Sequence, residues 1–325
     1  MVDLSPVDAT TLRIASRGSE LALWQSRAVR DALRAADPSL TVDIDVMKTT
    51  GDVIQDVPLA KIGDKGLFTK ELDAALLEGR ADLAVHSLKD VPTRLPEGLV
   101  LAAVTEREDP RDVLILPPGG SGDLDSLPPG ARVGTSSLRR RAQLQALRPD
   151  LAVLDLRGNL NTRLAKLDRG DYDAIILAAA GVLRLGWADR IAAYLDAPAW
   201  LPAVGQGALA VVARADRADV VARLRALHDP RSAACTAAER ALLRSLEGGC
   251  QVPIGALGRV EGDRVVLHGL VAELDGGRIL RVEESGPVDE AESVGRRAAD
   301  ALLANGAGEV LAGIRAAVAS SPAAP

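Results

Sequence analysis

The sequence predicts an α/β fold, because short apolar strands alternate with amphipathic helices along most of its length. Residues 41–47 alternate apolar and polar as a strand does, whereas residues 20–33 repeat apolar positions at near-helical spacing. After the Gly-, Pro- and Ser-rich stretch 117–130 the same alternation restarts, which predicts a second α/β unit. The last third is richer in strands and ends in two helices, which predicts a small α+β domain.

The first unit is predicted to run strand, helix, strand, helix and then two strands. Its expected elements are strand 11–14, a helix from Glu20, strand 41–47, a polar loop 48–66, helix 67–78, and strands 82–87 and 99–104. The second unit is expected to contain strand 132–134, a helix from Ser136, strand 151–156, a helix near Asn161 and strand 173–178. Residues 201–212 are compatible with a strand that returns to the first unit.

Two helices, at 218–227 and 233–246, are predicted to precede the third unit. In that unit we expect strands at 265–274 and 279–284, followed by helices at 289–304 and 308–318. The ten residues before Thr11 and the terminal SSPAAP are expected to be loose tails.

Length and composition narrow the class of protein. The chain has 325 residues, enough for two to three domains, and its 47% apolar and 26% charged residues are typical of a globular protein. The longest apolar run, residues 174–183, is too short to cross a bilayer, and the N-terminus has no signal-peptide pattern. We therefore expect a cytoplasmic protein that does not bind membranes.

The cysteines and histidines argue against disulfides and metal. Two cysteines in so long a chain do not form a disulfide framework, although a Cys235–Cys250 bridge is not formally excluded. The three histidines share no ligand spacing with either cysteine. We expect reduced thiols and no protein-bound metal.

Charge is concentrated in one region. The net charge is −6, yet residues 131–169 hold nine basic residues against three acidic ones. A local basic patch in an acidic protein favours a compact anionic ligand over long nucleic acid, which usually needs an extended basic face. Aromatic residues are only 2%, so few bases could be stacked.

The segment 134–141, Gly-Thr-Ser-Ser-Leu-Arg-Arg-Arg, is the most informative part of this patch. Thr135 or Ser136 is expected to cap a helix whose first turn carries consecutive arginines. Such charge opposes the helix dipole, so an anion is expected nearby. A solvated basic helix face is the alternative, and it is weakened by residues 157–159 and Arg163, which follow the next predicted strand.

Residues 86–92, His-Ser-Leu-Lys-Asp-Val-Pro, also follow a strand. Asp90 is the candidate acid/base group, because a carboxylate beside Lys89 tends to stay ionised and can stabilise a cation or accept a proton from nitrogen. The alternative is that Asp90 only caps a turn before Pro92. We interpret His86 as structural.

Residues 247–253, Glu-Gly-Gly-Cys-Gln-Val-Pro, form the third candidate segment. The two glycines free the backbone and leave the Cys250 sulfur unusually unshielded, as an anchoring or nucleophilic thiol requires. A buried structural cysteine is the alternative, and Cys235 in its Ala-rich helical stretch fits that description better.

Taken together, these segments resemble the porphobilinogen deaminase (hydroxymethylbilane synthase) family. The resemblance is carried in order by residues 13–19, 21–25, 61–72, 86–92, 108–112, 133–140, 156–159, 201–208 and 247–255. Beyond Gly258 only the pattern of elements matches. No position matched to a catalytic residue of the family is lost.

The resemblance implies three domains, of which the first two are like a periplasmic-binding-protein pair around a cleft. We expect a first lobe at 11–110 with a return segment at 207–227, a second lobe at 111–206, and a C-terminal domain at 228–325 that carries the cofactor cysteine. Residues 48–66, with Lys61 and Lys65, are expected to form a lid over the cleft.

The activity implied by the resemblance is that of a deaminating transferase. Four porphobilinogen molecules are joined head to tail with loss of ammonia, and water releases the linear tetrapyrrole hydroxymethylbilane. The primer is a covalent dipyrromethane cofactor joined by a thioether, and Cys250 matches its attachment position. Each pyrrole carries an acetate and a propionate, which forked guanidinium groups suit well.

The resemblance assigns proton handling and stabilisation of the electron-poor azafulvenium to Asp90. It assigns cofactor and substrate binding to a larger set: Arg13, Arg17, Gln25, Lys61, Lys65, Phe68, Ser87, Lys89, Thr135, Ser136, Ser137, Arg139, Arg140, Arg157, Gly158, Asn159, Arg163, Arg184 and Gln206.

Two other classes of protein stay open on the residues alone. A two-lobed solute-binding module for an organic anion would explain the first two domains, but it leaves residues 248–250 without a task. Nucleic-acid binding through the arginine patch ranks last. The family expectation is a monomer that binds porphobilinogen and its tetrapyrrole product, with no nucleic-acid partner.

Overall fold

The computed structural model describes residues 11–49, 69–246 and 252–320. The strands are β1 Thr11–Arg17, β2 Thr41–Met47, β3 Leu83–Ser87, β4 Leu99–Val104, β5 Asp112–Ile115, β6 Arg132–Gly134, β7 Ala152–Leu154, β8 Ala174–Ala178, β9 Ile191–Leu195, β10 Leu209–Arg214, β11 Ile254–Glu261, β12 Arg264–Ala272 and β13 Ile279–Pro287. The α-helices are α1 Glu20–Ala36, α2 Lys70–Leu77, α3 Leu138–Leu147, α4 Leu160–Asp168, α5 Ala179–Arg184, α6 Ala218–Leu224, α7 Pro230–Ser245, α8 Ala291–Ala304 and α9 Ala307–Ser320.

The first lobe is built on a five-stranded sheet with the order β2-β1-β3-β10-β4. β1 is parallel to β2 and β3, whereas β10 is antiparallel to both of its neighbours. Helix α1 follows β1 directly, because Ser19 caps it by accepting a hydrogen bond from the Ala22 backbone N–H. The strand β10 therefore returns from the second lobe to the first sheet.

The second lobe repeats this arrangement in the order β7-β6-β8-β5-β9. β6 is parallel to β7 and β8, and β5 is antiparallel to β8 and β9. In each lobe the antiparallel strand next to the edge begins just after the chain has crossed from the other lobe. The two crossings are residues 105–111 and 196–208.

The C-terminal domain is a three-stranded antiparallel sheet, β11-β12-β13, covered by helices. Its core joins α7, through Ala238 and Leu242, to the sheet and to Leu302 of α8. Gly295 of α8 lies so close to α7 that a Cβ there would be 2.1 Å from the Ala238 carbonyl oxygen. The two helices therefore pack almost backbone to backbone.

The α/β fold with a small third domain is confirmed, and most predicted elements lie within a few residues of their observed bounds. Strands β5, β9 and β11 and the short helix α5 were not predicted. β5 and β9 have only four and five residues, too few to show a period, and Gly255 and Gly258 interrupt β11. The domain limits stay a prediction, although both crossings fall near them.

Strand direction decides where functional side chains gather. The carboxyl ends of β1 and β3 lie at one edge of the first sheet, and those of β6, β7 and β8 lie at one edge of the second. Ser87 at the end of β3 pairs with Leu209 at the start of β10, and Ala178 at the end of β8 pairs with Asp112. Both crossings therefore meet the lobes at these same edges.

A buried ion pair joins the three domains. Glu239 of α7 accepts hydrogen bonds from Arg107 Nη1 at 2.6 Å and Nη2 at 3.1 Å, and also from the backbone N–H groups of Gly205 and Gly258. Arg107 lies in the first crossing and Gly205 in the second. The Glu239 side chain is fully buried, so its charge is compensated only by these donors.

We expect Glu239→Gln to lower the free energy of unfolding by about 3–5 kcal/mol, because Arg107 would be left as an uncompensated buried charge. The measurement is the urea unfolding midpoint at neutral pH. Glu292→Gln is the control, since the Arg244–Glu292 pair is exposed and should be worth less than about 1 kcal/mol. Equal shifts for both variants would contradict the structural role of Glu239.

Candidate active site

Asp90 lies in a single turn of 3-10 helix, Leu88–Asp90, immediately after β3. Leu88 is buried and its backbone N–H donates to the Ala208 carbonyl, which fixes the start of the turn. Asp90 lines a cavity of about 70 Å³ at the carboxyl edge of the first sheet. The carboxylate is therefore held by a short, anchored turn where the strand ends.

Arg17, Ser87 and Gln25 line the same cavity. Gln25 donates from Nε2 to Ser87 Oγ at 2.8 Å, which ties α1 to the end of β3. His86 is buried beneath them, and burial together with the nearby Arg17 charge lowers its pKa to about 4. Its imidazole is therefore neutral at pH 7, in keeping with the structural interpretation.

Across from this turn, at the edge of the second sheet, lies the buried carboxylate of Asp112. Its Oδ2 accepts from Arg139 Nη1 at 2.7 Å and from Trp200 Nε1 at 2.8 Å. Its Oδ1 accepts from Arg140 Nη2 at 2.7 Å and from Gln206 Nε2 at 2.9 Å. Burial acts to raise the pKa of Asp112, but Arg139 and Arg140 outweigh it and hold that pKa far below its usual range.

The anion expected beside the helix α3 arginines is thus supplied in part by the protein itself. Arg139 Nη1 donates both to Asp112 and to the Leu201 carbonyl, and the side chain is 4% exposed. Arg140 bonds Asp112 and the Ile176 carbonyl, but its buried Nε has no hydrogen-bond partner among the described residues. That Nε is therefore a donor that the described part of the fold leaves unused.

Gln206 connects the two edges. Its amide nitrogen also donates to the Pro110 and Arg111 carbonyls, and its Oε1 accepts from Lys89 Nζ at 3.4 Å. The pKa of Lys89 is lowered to about 8. Burial is the largest cause, Arg140 acts in the same direction, and Asp90 acts in the opposite direction. Lys89, on the turn that carries Asp90, therefore lies in the electrostatic reach of the second-lobe residues.

Arg163 completes a cationic cluster around Asp90. The pKa of Arg163 is lowered to about 10. Burial is the largest cause, the charges of Arg140 and Arg157 act in the same direction, and Asp90 acts in the opposite direction. In the described part of the chain no carboxylate lies within 4 Å of the Arg163 guanidinium, whose Nε donates to the Gly158 carbonyl. The cluster, defined here as Lys89, Arg140, Arg157 and Arg163, brings an ammonium group of the first lobe and guanidinium groups of the second lobe close to Asp90.

The loop 157–159 is shaped by the start of helix α4. Asn159 is the N-cap and accepts from the Thr162 backbone N–H at 2.9 Å. Gly158 has φ +112°, and a Cβ at that position would lie 2.7 Å from Thr162. These two residues therefore set the path of the loop from Arg157 to helix α4, which carries Arg163.

The predicted cap of helix α3 was wrong by one or two residues. The N-cap is Ser137, whose Oγ accepts from the Arg140 backbone N–H. Thr135 Oγ1 accepts from the Ser137 backbone N–H, and Ser136 Oγ bonds the backbone of Leu156. The sequence could not show which of these adjacent hydroxyl residues caps the helix. Ser136 is instead bonded to Leu156, which lies 20 residues away after the neighbouring strand β7.

Four of the expected binding residues have other tasks here. Arg139 Nη1 and the Gln206 side-chain amide bond groups within the protein, as described above. The Arg13 side chain is exposed, and its backbone N–H donates to the Asp82 carboxylate. Arg13 lies four residues before Arg17, the last residue of β1, which places the two about 13 Å apart along the strand. Arg13 is therefore not part of the cluster.

Arg184 lies at a second groove of about 440 Å³, on the other side of α1. Its guanidinium stacks over Trp24 at 5.6 Å and donates to the Gly207 carbonyl at 2.5 Å. Burial lowers its pKa to about 10, against the effect of Glu108. The structure thus places Arg184 between the lobes and apart from Asp90.

Lys61, Lys65, Phe68 and Cys250 lie outside the described residues, as does most of the predicted lid. In the described ranges there is no group of three metal-ligating side chains, and no helix there is long and apolar enough to cross a membrane. The Cys235 thiol is buried, and burial raises its pKa to about 11. That cysteine matches the structural interpretation given above.

Sequence reasoning missed Asp112 and Trp200. Asp112 was noticed only as the end of the segment 108–112, because an acidic residue before a four-residue strand has no local signature. The usable signal was the arginine pair itself, since adjacent buried arginines demand a buried anion. The sequence does not show that this anion is a residue of the same chain, Asp112.

The residues present fit a cofactor that carries several carboxylates. A dipyrromethane unit brings an acetate and a propionate on each ring, and the cluster places guanidinium and ammonium donors beside Asp90. The buried, partnerless Nε of Arg140 is a specific donor left over for such a group.

Comparison with known proteins agrees with this fit. A family model described as "Porphobilinogen deaminase, dipyromethane cofactor binding domain" matches residues 12–222, and one described as "Porphobilinogen deaminase, C-terminal domain" matches residues 233–304. Porphobilinogen deaminase of Prochlorococcus marinus is 55% identical over 95% of this chain and 98% of its own length. That of Xanthomonas oryzae pv. oryzae is 54% identical over 94% and 100%.

Among solved structures, the periplasmic VFT2 domain of Bordetella pertussis BvgS has a TM-score of 0.41 at 18% identity, covering 68% of this chain and 87% of its own.

The match to the cofactor-binding domain and the curated relatives define a transferase of tetrapyrrole biosynthesis that uses a dipyrromethane cofactor. The chain belongs to the porphobilinogen deaminase family. The resemblance drawn from its motifs is thereby confirmed.

We expect Asp112→Asn to destabilise the protein by about 3–5 kcal/mol at pH 7, because two buried guanidinium groups lose their counter-charge. The folded pKa of Asp112 is depressed, so its contribution is complete above the unfolded pKa of about 4 and shrinks as pH falls below it. The gap between wild type and variant should therefore narrow from pH 7 to pH 3 in urea unfolding.

Asp173→Asn is the matched control, since Asp173 pairs with Arg132 at the exposed edge of the same sheet. It should cost less than about 1 kcal/mol at either pH. A gap for Asp112→Asn that stayed constant with pH, or was as small as the control's, would contradict this account of the Asp112 carboxylate.

Proposed function

We propose that the edge-to-edge cleft between the lobes, centred on Asp90, is where porphobilinogen units are condensed. The observation that carries the proposal is the placement of the Asp90 carboxylate among Lys89 from the first lobe and Arg140, Arg157 and Arg163 from the second. When bound through a thioether, the dipyrromethane supplies an electron-rich pyrrole that is not hydrolysed from the chain during the reaction.

Asp90 serves the substrate's reacting end. Loss of ammonia from porphobilinogen leaves an electron-poor carbon and a pyrrole N–H that carries part of the positive charge. A carboxylate held on an anchored turn accepts a hydrogen bond from that N–H and stabilises the charge as it develops. The same group then accepts the proton that leaves the α-carbon of the attacking pyrrole once the new carbon–carbon bond has formed.

The cationic cluster holds the substrate's acid groups. Arg157 and Arg163 present guanidinium donors to acetate and propionate, which fixes each ring in orientation as well as in position. Arg140 adds its Nε, since its two other nitrogens bond Asp112 and the Ile176 carbonyl. Arg17, Gln25 and Ser87 line the cavity on the first-lobe side and complete the polar wall. Asp112 keeps Arg140 in place, so its part is to position the cluster and not to touch the substrate.

Cys250 is the proposed attachment residue, and Lys61, Lys65 and Phe68 are proposed to contact the cofactor or substrate, on the strength of their motif positions alone. We further propose a monomeric, cytoplasmic enzyme with neither a nucleic-acid nor a membrane partner. The net charge of −6 supports the absence of a nucleic-acid partner, because such partners usually bind an extended basic face.

The test is intact-protein mass spectrometry of purified wild type, Cys250→Ser and Asp90→Asn. Wild type should be heavier than its sequence by a two-pyrrole adduct, and Cys250→Ser should lack the adduct and turnover. Asp90→Asn should lose at least about 100-fold in kcat, because the amide is neither a base nor a counter-charge. Asp173→Asn serves as the control with wild-type mass and turnover.

An unmodified wild type that incubation with porphobilinogen fails to load would favour the solute-binding alternative. Near-normal tetrapyrrole production by Asp90→Asn would remove Asp90 from the mechanism. Strongly salt-dependent binding to DNA would instead support the nucleic-acid alternative.

Lys89 gives the reaction a predicted alkaline limit. Its pKa of about 8 means that the ammonium group is present below pH 8 and is lost above it. Because the charged form binds a substrate carboxylate, kcat/KM should fall as pH rises from 7.5 to 9, and that profile reports the free enzyme. Lys89→Met should have a lower kcat/KM and no inflection in this range. The same inflection in Lys89→Met would show that another group causes it.

A further inference from the structure

Helix α7 of the C-terminal domain contacts the turn that carries Asp90. Arg240 on this helix donates from Nη1 to the Val91 carbonyl at 2.9 Å and from Nη2 to the Pro92 carbonyl at 2.7 Å. Val91 and Pro92 are the two residues that directly follow Asp90. One guanidinium fork thus binds the exit of the turn from a different domain, 149 residues away in sequence for the Val91 contact.

The contact uses a cation in an unusual way. In the part of the chain described by the structure, no carboxylate lies within 4 Å of the Arg240 guanidinium, whereas Arg244, one helical turn later, pairs with Glu292. Burial lowers the pKa of Arg240 to about 10, and the Arg244 charge adds to that effect. A largely buried charge is therefore satisfied by two backbone carbonyls, which fixes backbone position more than it neutralises charge.

Other contacts of the turn lie at its start and in its apolar side chains. Leu88 N–H donates to the Ala208 carbonyl and Lys89 contacts Gln206, both on the second crossing. The buried side chain of Val91 packs in one apolar cluster with Leu88. After Asp90, the proline at position 92 keeps Val91 extended, with ψ near 123°. The Arg240 fork adds the link that ties the backbone of this extended exit to helix α7.

Helix α7 is a suitable support, because its neighbouring residue Glu239 holds both crossings through Arg107 and Gly205. The helix ends at Ser245, five positions before Cys250 in the sequence. One rigid element therefore holds the crossings, the Asp90 turn and the start of the segment that carries the proposed attachment thiol.

We propose that Arg240 is a positioning residue for the condensation reaction, which sets the Asp90 carboxylate against the domain that carries the primer. The inference rests on the proposed role of Asp90. It predicts that loss of the fork leaves substrate binding intact, since the cationic cluster is untouched, and slows the chemical step at every addition.

The experiment compares Arg240→Met with Arg244→Met, which removes a guanidinium from the same helix one turn later but on the exposed Glu292 pair. Arg240→Met should load the two-pyrrole adduct and keep its KM for porphobilinogen within about twofold, while kcat falls at least about tenfold. Arg240→Lys, which retains one donor, should recover part of the loss. Arg244→Met should stay within about twofold of wild type in both constants.

The measured turnover is divided by the fraction of protein that is folded and carries the two-pyrrole adduct. Circular dichroism gives the folded fraction, and the intact mass gives the fraction with the adduct. A kcat for Arg240→Met equal to that of wild type on this basis would overturn the proposal, as would a loss that appears in KM alone. If Arg240→Met does not fold, Arg240→Lys decides in the same way. Failure of the Asp90 proposal shows up separately, as normal turnover by Asp90→Asn in an otherwise wild-type chain.

Discussion

The arrangement of the cleft depends on one buried carboxylate that lies where the chain crosses between lobes. Asp112 begins β5 just after the first crossing, and Gln206 of the second crossing donates to it. Its other donors are the paired arginines of helix α3 and the Trp200 indole. A buried charge with four donors is costly to disturb, so both crossings, one helix and the guanidinium groups that face the ligand are held in one geometry.

This constraint explains why two adjacent arginines have different tasks. Arg139 bonds one oxygen of Asp112 and the Leu201 carbonyl, while Arg140 bonds the other oxygen and the Ile176 carbonyl. Gln206 bonds both Asp112 and Lys89, so it links this carboxylate to the opposite lobe. Bonds within the protein therefore orient the two guanidinium groups.

A second support comes from the C-terminal domain through neighbouring residues of helix α7. Glu239 binds the crossings and Arg240 binds the exit of the Asp90 turn. Two adjacent residues of one helix therefore tie the C-terminal domain both to the crossings between the lobes and to the Asp90 turn of the first lobe.

The sequence by itself determined the alternation of strands and helices, the position of the Asp90 turn after a strand, and the arginine-rich start of helix α3. These follow from local periodicity and from the rule that ligands bind at the carboxyl ends of strands. Only the tertiary structure shows which groups the two arginines bond and that Ser137 caps the helix. It also shows that Arg13 and Arg184 lie apart from Asp90. The contacts of Asp112 with the arginines and of Arg240 with the exit of the Asp90 turn likewise depend on it. Gln206 and Asp112 are 94 residues apart, and a bond over that distance leaves no periodic signal, because it depends on how the strands pair and not on neighbouring residues.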